Sequence, residues 1–215
     1  DFVGHPIARQ SLPDQNKINN FVSKMNIDLS KKIITFLPGS RKSEIHYMLP
    51  IFISVIRKLE DKFDDLEVVI PAPLHISKLV KQKIKKAKIN VKVVGEEELT
   101  SEEFQSFKYV LFSLSVLAVA TSGSVTLELA RSGTPMITAY RSGYAFEFLL
   151  KRFVKIDSAN LINIISDTKT VPEFLFEKCN AGNIDMTSSI FFCKSAFILV
   201  LEFASKIRVA INCMT

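Results

Sequence analysis

A glycine-centred turn that carries a hydroxyl and a guanidinium follows an early apolar run of the chain. The segment reads Leu37-Pro38-Gly39-Ser40-Arg41 and leads into a stretch with helical spacing of apolar residues. Free N–H groups and the helix dipole attract anions at a helix N-terminus, and an arginine can form two hydrogen bonds with a phosphate. The turn therefore predicts an anion site at Gly39, Ser40 and Arg41. The alternative is an ordinary strand-to-helix turn with a solvated arginine, and the segment lacks the Gly-Lys-Ser/Thr of a Walker A loop.

A second polar turn follows a later apolar run. It reads Thr121-Ser122-Gly123-Ser124, and Glu128 comes one helical turn further on. Hydroxyl and N–H groups suit a diphosphate, and a carboxylate can accept hydrogen bonds from a pair of ribose hydroxyls. This pattern predicts a nucleotide site at Ser122, Gly123, Ser124 and Glu128. A serine-rich helix cap with Glu128 as a first-turn acid is the alternative, and the presence of two such turns in one sheet weakens both alternatives.

Apolar and basic residues alternate between positions 144 and 157. The apolar members are Phe146, Leu149, Leu150 and Phe153, and the cations are Lys151, Arg152 and Lys155. A helix of this composition can bury its rings at a membrane surface while its cations reach lipid phosphates. We therefore predict membrane contact through this segment, with Phe146, Leu149, Lys151, Arg152, Phe153 and Lys155 as the contact residues. The alternative is a core-facing helix with solvated lysines.

The composition of the 215-residue chain excludes several classes of protein. Hydrophobic residues make up 47% and charged residues 23%, which excludes disorder as the bulk state. A net charge of +6 suits an anionic partner such as a nucleotide or a phospholipid surface, and charge alone does not exclude nucleic acid. Three cysteines without paired spacing and three scattered histidines predict a reduced, metal-free cytosolic protein without a nucleophilic triad. The chain opens without the features of a signal peptide.

The spacing of apolar residues predicts strands that alternate with helices. Strands are expected at 33–37, 66–70, 91–94, 117–120 and 135–140, and helices at 45–59, 76–88, 96–107 and 125–132. This order predicts an α/β fold, a Rossmann-like parallel sheet with helices on both faces and ligands at the carboxyl ends of the strands. Pro50 is expected to kink its helix or to restrict it to a helix start, because proline lacks the backbone N–H.

Several fragments stand in an order that is far more specific than any one of them. They are Val3-Gly4-His5-Pro6, Leu37-Pro38-Gly39-Ser40-Arg41 with Ser43-Glu44, Ser122-Gly123-Ser124-Val125-Thr126-Leu127-Glu128, Pro135-Met136, Tyr140-Arg141, Lys151-Arg152, Asn160-Leu161-Ile162-Asn163 and Val171-Pro172-Glu173-Phe174-Leu175. From Phe2 to about Asn183 the chain resembles the lipid-A-disaccharide synthase family, inverting glycosyltransferases of GT-B fold. It departs from the family pattern at Val116, Asp167-Thr168 and Phe176.

The resemblance implies a reaction and a division of the chain. The reaction is glycosyl transfer from UDP-2,3-diacylglucosamine to 2,3-diacylglucosamine 1-phosphate, giving lipid A disaccharide 1-phosphate and UDP, without cofactor, metal or nucleic acid. Residues 1–10 would end a missing N-terminal domain and form the crossover, 11–183 would be the UDP-sugar-binding C-terminal domain, and 184–215 an aberrant apolar tail. The family's general base is expected in the missing domain, so the chain alone is expected to be inactive.

The resemblance also implies roles for individual residues. Arg41 would meet the UDP diphosphate or an acceptor phosphate, Glu128 the ribose, and Asn163 would line the cleft near the donor sugar. The diphosphate would also meet Ser122, Gly123 and Ser124, and the turn at Gly39 and Ser40 would complete the donor site. The expected location is the cytoplasm, peripheral on the inner face of the inner membrane of a Gram-negative bacterium. The alternative function is a non-catalytic nucleotide- or membrane-surface-binding module left from a truncated gene.

Overall fold

Six parallel strands form one sheet at the centre of the computed structural model, which describes residues 13–95, 97, 99–144, 147, 158–167 and 169–192. The strands are β1 (Lys32–Leu37), β2 (Leu66–Ala72), β3 (Lys92–Gly95), β4 (Ser115–Thr121), β5 (Met136–Tyr140) and β6 (Glu173–Leu175). Their order across the sheet is β3-β2-β1-β4-β5-β6. All five pairings are parallel, as the alternation of strands and helices predicts.

Helices cover both faces of this sheet. They are α1 (Gln15–Met25), α2 (Lys42–Glu60), α3 (Leu74–Ala87), α4 (Ser101–Leu114), α5 (Val125–Arg131), α6 (Leu161–Ser166) and α7 (Ala181–Phe192). Ile34 and Phe36 of β1 join the core formed with α2, α3 and α7, whereas Ile33 and Leu37 pack towards α1, α4, α5 and α6. Successive strand residues point to opposite faces, so β1 is buried on both sides. The predicted Rossmann-like α/β fold is confirmed.

Helix α2 differs from the sequence prediction at Pro50. The helix runs unbroken from Lys42 to Glu60, so the expected restriction to a helix start is wrong. Pro50 and His46 lie on the exposed side, where water can bind the carbonyl that loses its N–H partner. Met48, Leu49 and Phe52 are fully buried on the other side. Their burial stabilises the helix around the proline.

Three short elements do not stand out in the sequence pattern. They are α1, α6 and β6, of which β6 has three half-buried residues at the edge of the sheet. Pro71 also belongs to β2, which extends to Ala72 instead of ending at residue 70 as predicted. Positions 66–69 of β2 pair with β1 and positions 69–72 pair with β3, so the proline lies beyond the β1 ladder.

Helix α7 crosses residue 183, where the sequence analysis sets a domain boundary. Ile184 is fully buried in the core beside α2. The carboxylate of Asp185 accepts hydrogen bonds from Lys62, two residues beyond the end of α2, with both oxygens 2.8 Å from the ammonium nitrogen. Residues 181–192 are therefore part of the packed domain.

The strand order places a crevice between β1 and β4. The chain proceeds from β1 outward through β2 to β3 and then returns to lay β4 against the other side of β1. At such a switch point the loops after the two central strands diverge, and ligands of open α/β sheets bind in the crevice between them. The two polar turns found in the sequence follow β1 and β4.

Candidate functional site

The structure brings the two polar turns to opposite sides of one cleft. The cleft has a volume of about 390 Å³ at the carboxyl ends of the strands. Its lining includes Gly39, Ser40 and Arg41 from the first turn, Thr121 to Ser124 from the second, and side chains from α4 and α5. All predicted donor-site residues except Asn163 lie in this cleft.

The first turn is stabilised by hydrogen bonds to a carboxylate of α2, the helix that follows it. Glu44 Oε2 accepts hydrogen bonds from the N–H of Ser40 at 2.8 Å and from the N–H of Arg41 at 3.2 Å. Gly39 adopts φ +106°, and a Cβ there would lie 2.3 Å from the same oxygen, so the position requires glycine. The helix N-terminus therefore already holds an anionic group, and a phosphate that takes these N–H groups must displace Glu44.

The side chain of Arg41 is largely exposed to solvent. Its side chain is 80% exposed and its contact is an ion pair with Glu44 at 3.3 Å. A second contact fixes the turn, because His75 Nε2 lies 2.6 Å from the carbonyl oxygen of Ser40. His75 thus ties the start of α3 to the first turn, although nothing in its sequence spacing indicates such a role.

The second turn presents unoccupied N–H groups. The N–H groups of Gly123 and Ser124 form no hydrogen bond with any residue in the described part of the chain. No atom outside its chain neighbours lies within 4 Å of a Cβ added at Gly123. The hydroxyl of Ser122, in contrast, donates to the carbonyl of Ala159 at 2.6 Å and so positions the turn. The backbone N–H groups of Gly123 and Ser124 are therefore available to bind an anion in the cleft.

Glu128 forms one wall of the cleft together with a lysine that the sequence analysis missed. Lys108, on α4, has its Nζ atom 2.7 Å from Glu128 Oε2, and the two side chains are 14% and 17% exposed. The contact is an ion pair without hydrogen-bond angles, so this buried oxygen has no hydrogen-bond partner. Burial raises the pKa of the neighbouring Tyr109 to about 12, and the charge of Glu128 adds to that shift.

Thr121 is a further cleft residue without a partner. It ends β4, is 4% exposed, and its hydroxyl forms no hydrogen bond. A buried hydroxyl without a partner is unfavourable, which is typical of a position that a ligand or water occupies. The sequence places Thr121 in the turn, but only the structure indicates that its hydroxyl is unused.

Asn163 lies outside the cleft, so the structure does not bring it to the other predicted donor residues. Its side chain is buried in α6 and forms two hydrogen bonds of 2.9 Å with the backbone of Val171, one as donor and one as acceptor. Asn160 caps the same helix by accepting from the N–H groups of Ile162 and Asn163. The Asn160 to Asn163 segment thus joins α6 to the loop before β6.

Two other cavities lie away from the polar turns. The larger, about 760 Å³, is at the amino ends of β2 and β3 and contains the ion pair of Lys92 with Glu67 at 2.9 Å. Another of about 450 Å³ lies beside β6 and includes Asn163 and Glu173. We place the candidate site in the smaller central cleft because it combines the sheet switch point, free N–H groups and an unsatisfied carboxylate.

The predicted membrane-contact residues Phe146, Leu149, Lys151, Arg152, Phe153 and Lys155 lie outside the described residues. None of the helices in the described ranges is long and apolar enough to cross a membrane. Within the same ranges, no three His, Cys, Asp or Glu side chains are grouped so that they could hold a metal ion. The thiol of Cys179 is buried, and this burial raises its pKa to about 12.

Solved structures with the same architecture include glycosyltransferases. A glycosyltransferase from Rickettsia africae aligns with a TM-score of 0.61 at 13% identity, over 98% of this chain and 50% of that one. WaaG, a glycosyltransferase involved in lipopolysaccharide biosynthesis, aligns with a TM-score of 0.57 at 14% identity, over 97% and 50%. The fold is a Rossmann-like α/β domain of the kind found in GT-B glycosyltransferases.

Sequence comparison identifies the family to which the chain belongs. The family model described as lipid-A-disaccharide synthetase matches residues 1–196. Lipid-A-disaccharide synthases from Sulfurihydrogenibium sp. and Ruegeria pomeroyi are 36% and 32% identical to it over 85% and 86% of the chain. The chain belongs to the lipid-A-disaccharide synthase family, as the order of its motifs predicts. It spans about half the length of the curated relatives it matches, 47% and 46% for these two.

Proposed function

We propose that the chain binds the UDP part of a UDP-sugar in the cleft between its two polar turns. Two features of the same cleft support this proposal: the free N–H groups of Gly123 and Ser124, and the carboxylate of Glu128, which can accept hydrogen bonds. N–H groups suit the diphosphate, and the carboxylate suits a ribose hydroxyl pair. A nucleoside diphosphate carries both of these chemical parts.

Family membership supports the finer assignment of substrates. We infer that the domain takes part in transferring the glycosyl group of UDP-2,3-diacylglucosamine to 2,3-diacylglucosamine 1-phosphate. The products are lipid A disaccharide 1-phosphate and UDP. In such a transfer negative charge develops on the departing diphosphate. N–H groups fixed by the turn stabilise that charge without reorganising during the reaction. This domain's contribution is to hold the donor and to stabilise its leaving group.

Calorimetric titration with UDP tests the binding proposal. We expect saturable binding that weakens by about tenfold or more in Glu128→Gln, which replaces a charged acceptor by a neutral one. Glu67→Gln is the matched control, because Glu67 also forms a partly buried ion pair with a lysine but lies at the opposite end of the strands. Absence of UDP binding, or equal weakening in both variants, would contradict the proposal.

We further propose that the 215-residue chain transfers no sugar by itself. Two carboxylates line the cleft among the described residues, and both are held internally. Glu44 accepts from the first turn, and Glu128 is paired with Lys108. Neither is placed to remove a proton from an acceptor hydroxyl, a contribution that typically amounts to about 10² to 10⁴ in rate. Disaccharide formation by the purified chain with both acylated substrates would disprove this proposal.

Membrane contact through residues 144–157 remains a proposal, with the inner face of the inner membrane as its location. It is supported by the basic and aromatic composition of the segment and by the acyl chains of the proposed substrates. Each cation near an anionic surface contributes about 1 kcal/mol, so binding should fall steeply with salt. Replacing Lys151, Arg152 and Lys155 by Glu should abolish co-sedimentation with anionic vesicles and leave UDP binding intact. Equal sedimentation of variant and parent at low salt would favour the core-facing alternative.

A further inference from the structure

Lys108 is a largely buried cation among the described residues of the cleft. Two cationic side chains, Arg41 and Lys108, are among the described residues that line it. Arg41 is 80% exposed and belongs to the turn that Glu44 closes, whereas Lys108 is 14% exposed and reaches across from α4 to Glu128 on α5. The position of Lys108 therefore ties two helices together at the wall where the proposed ribose site lies.

The geometry of this pair leaves the carboxylate able to accept hydrogen bonds. Lys108 Nζ lies 2.7 Å from Glu128 Oε2, yet the angles are not those of a hydrogen bond. The ammonium thus holds the carboxylate through its buried Oε2 atom, whereas the other oxygen, Oε1, forms no hydrogen bond within the described residues and is left to accept one from a ligand. A carboxylate that is only 17% exposed and has lost its cation would turn towards solvent, because a buried charge without a partner is strongly unfavourable.

We propose that Lys108 is a positioning residue for ribose recognition. It keeps the Glu128 carboxylate inside the cleft and directed at the vicinal hydroxyls of a nucleoside diphosphate. The inference rests on the proposed function, because it concerns the same cleft and ligand. It predicts that Lys108 sets the preference for ribose over deoxyribose without touching the ribose itself.

The test is the ratio of affinities for UDP and its deoxy analogues. Calorimetry is run with UDP, 2′-deoxy-UDP and 3′-deoxy-UDP on the parent chain, Lys108→Met and Lys108→Arg. The parent should bind at least one analogue about tenfold more weakly than UDP, because one hydrogen bond to the carboxylate is lost. Lys108→Met should reduce that ratio to near one, and Lys108→Arg, which keeps the charge, should preserve most of it.

Lys92→Met is the matched control variant. Lys92 pairs with Glu67 in a comparable ion pair at the opposite end of the strands, so its replacement should leave the ratio unchanged. Circular dichroism confirms that each variant is folded, and Lys108→Gln replaces Lys108→Met if the latter is not. A parallel loss of affinity for all three ligands in the Lys108 variants, with the ratio intact, would overturn the inference.

The parent chain alone separates ribose recognition from UDP binding. A parent chain that binds UDP but shows no preference over either deoxy analogue contradicts ribose recognition while the UDP site stands. A parent chain that binds none of the three ligands contradicts the proposed function itself.

Discussion

The carboxylate of Glu44 accepts a hydrogen bond from the N–H of Ser40 at 2.8 Å, closing the first turn from within. The sequence alone assigns this N–H group to a phosphate, since it stands at the start of a helix after a glycine. In the structure this N–H group donates instead to Glu44, which lies at the third position of the helix and helps to cap its N-terminus. The two turns of the cleft are therefore not equivalent, and the second is the open one.

Replacing Glu44 by Ala should destabilise the domain. The change removes the acceptor for the N–H groups of Ser40 and Arg41, and loss of such a cap typically costs about 1 kcal/mol of the free energy of unfolding. Urea unfolding measures the effect. Glu102→Ala, also in the first turn of a helix but outside its capping box, is the control. Equal stability of the two variants would show that the Glu44 contact does not stabilise the turn.

Gly123→Ala should weaken UDP binding, whereas Gly133→Ala should lower the stability of the fold. Gly123 has open space around the added Cβ, so the fold should tolerate alanine while the methyl group hinders a phosphate at the N–H groups. We expect UDP affinity to fall about tenfold, which corresponds to roughly one lost hydrogen bond to an anion. Gly133, at φ +70°, should lose about 1–2 kcal/mol of stability on replacement.

Thermal unfolding and UDP titration of both glycine variants measure these effects. Gly133 is absent from the cleft lining, so Gly133→Ala should bind UDP with the parent affinity. The assignment of the second turn is wrong if Gly123→Ala also binds UDP as tightly as the parent chain.

Asn163→Ala should act on stability rather than on the donor. The substitution leaves the N–H and carbonyl of Val171 without their partners, at a cost of about 2–4 kcal/mol for two buried groups. Denaturant unfolding measures this cost, with the exposed Asn90 replaced by Ala as the control. The family resemblance instead gives Asn163 a place near the donor sugar. A folded Asn163→Ala variant that binds UDP-N-acetylglucosamine more weakly while binding UDP normally would favour that role.

The ion pair between α1 and α4 should make stability depend on acid pH. The hydrogen bond from Lys24, together with the N–H of Thr100, lowers the pKa of Glu103 from 4.5 to about 2. A carboxyl whose pKa is lowered by folding contributes stability above its unfolded pKa and loses it as the pH falls through the folded value. The stability advantage of the parent over Glu103→Gln should therefore be full above pH 4.5 and shrink towards pH 2. A difference that is constant over this range in urea unfolding would contradict the assignment.

The sheet could be predicted because its strands are short, continuous and apolar. Ile33 to Leu37 and Leu117 to Ala120 are buried on both faces, and such runs bounded by glycine or proline indicate parallel strands. Edge strand β6 has only three half-buried residues, so its sequence carries no such signal. At Pro50 the sequence predicts a break that the structure lacks. The helix continues through the proline because Met48, Leu49 and Phe52 are buried on its other side.

The candidate site could be predicted only where its residues adjoin a turn. The spacing of Gly39, Gly123 and Glu128 indicates a site, because a turn after a strand is a ligand position in this class of sheet. Lys108 lies in the middle of an apolar helix and reaches the cleft through the packing of α4 on α5, which no local pattern reports. The Asn163 to Val171 contact is also a product of tertiary structure.

A crystal structure of the chain soaked with UDP would locate the nucleotide in the fold. We expect electron density in the central cleft, with diphosphate oxygens about 3 Å from the N–H groups of Gly123 and Ser124 and the ribose hydroxyls on Glu128. Density for UDP in the cavity that contains Lys92 and Glu67, or beside β6, with the central cleft empty, would disprove UDP binding between the two polar turns.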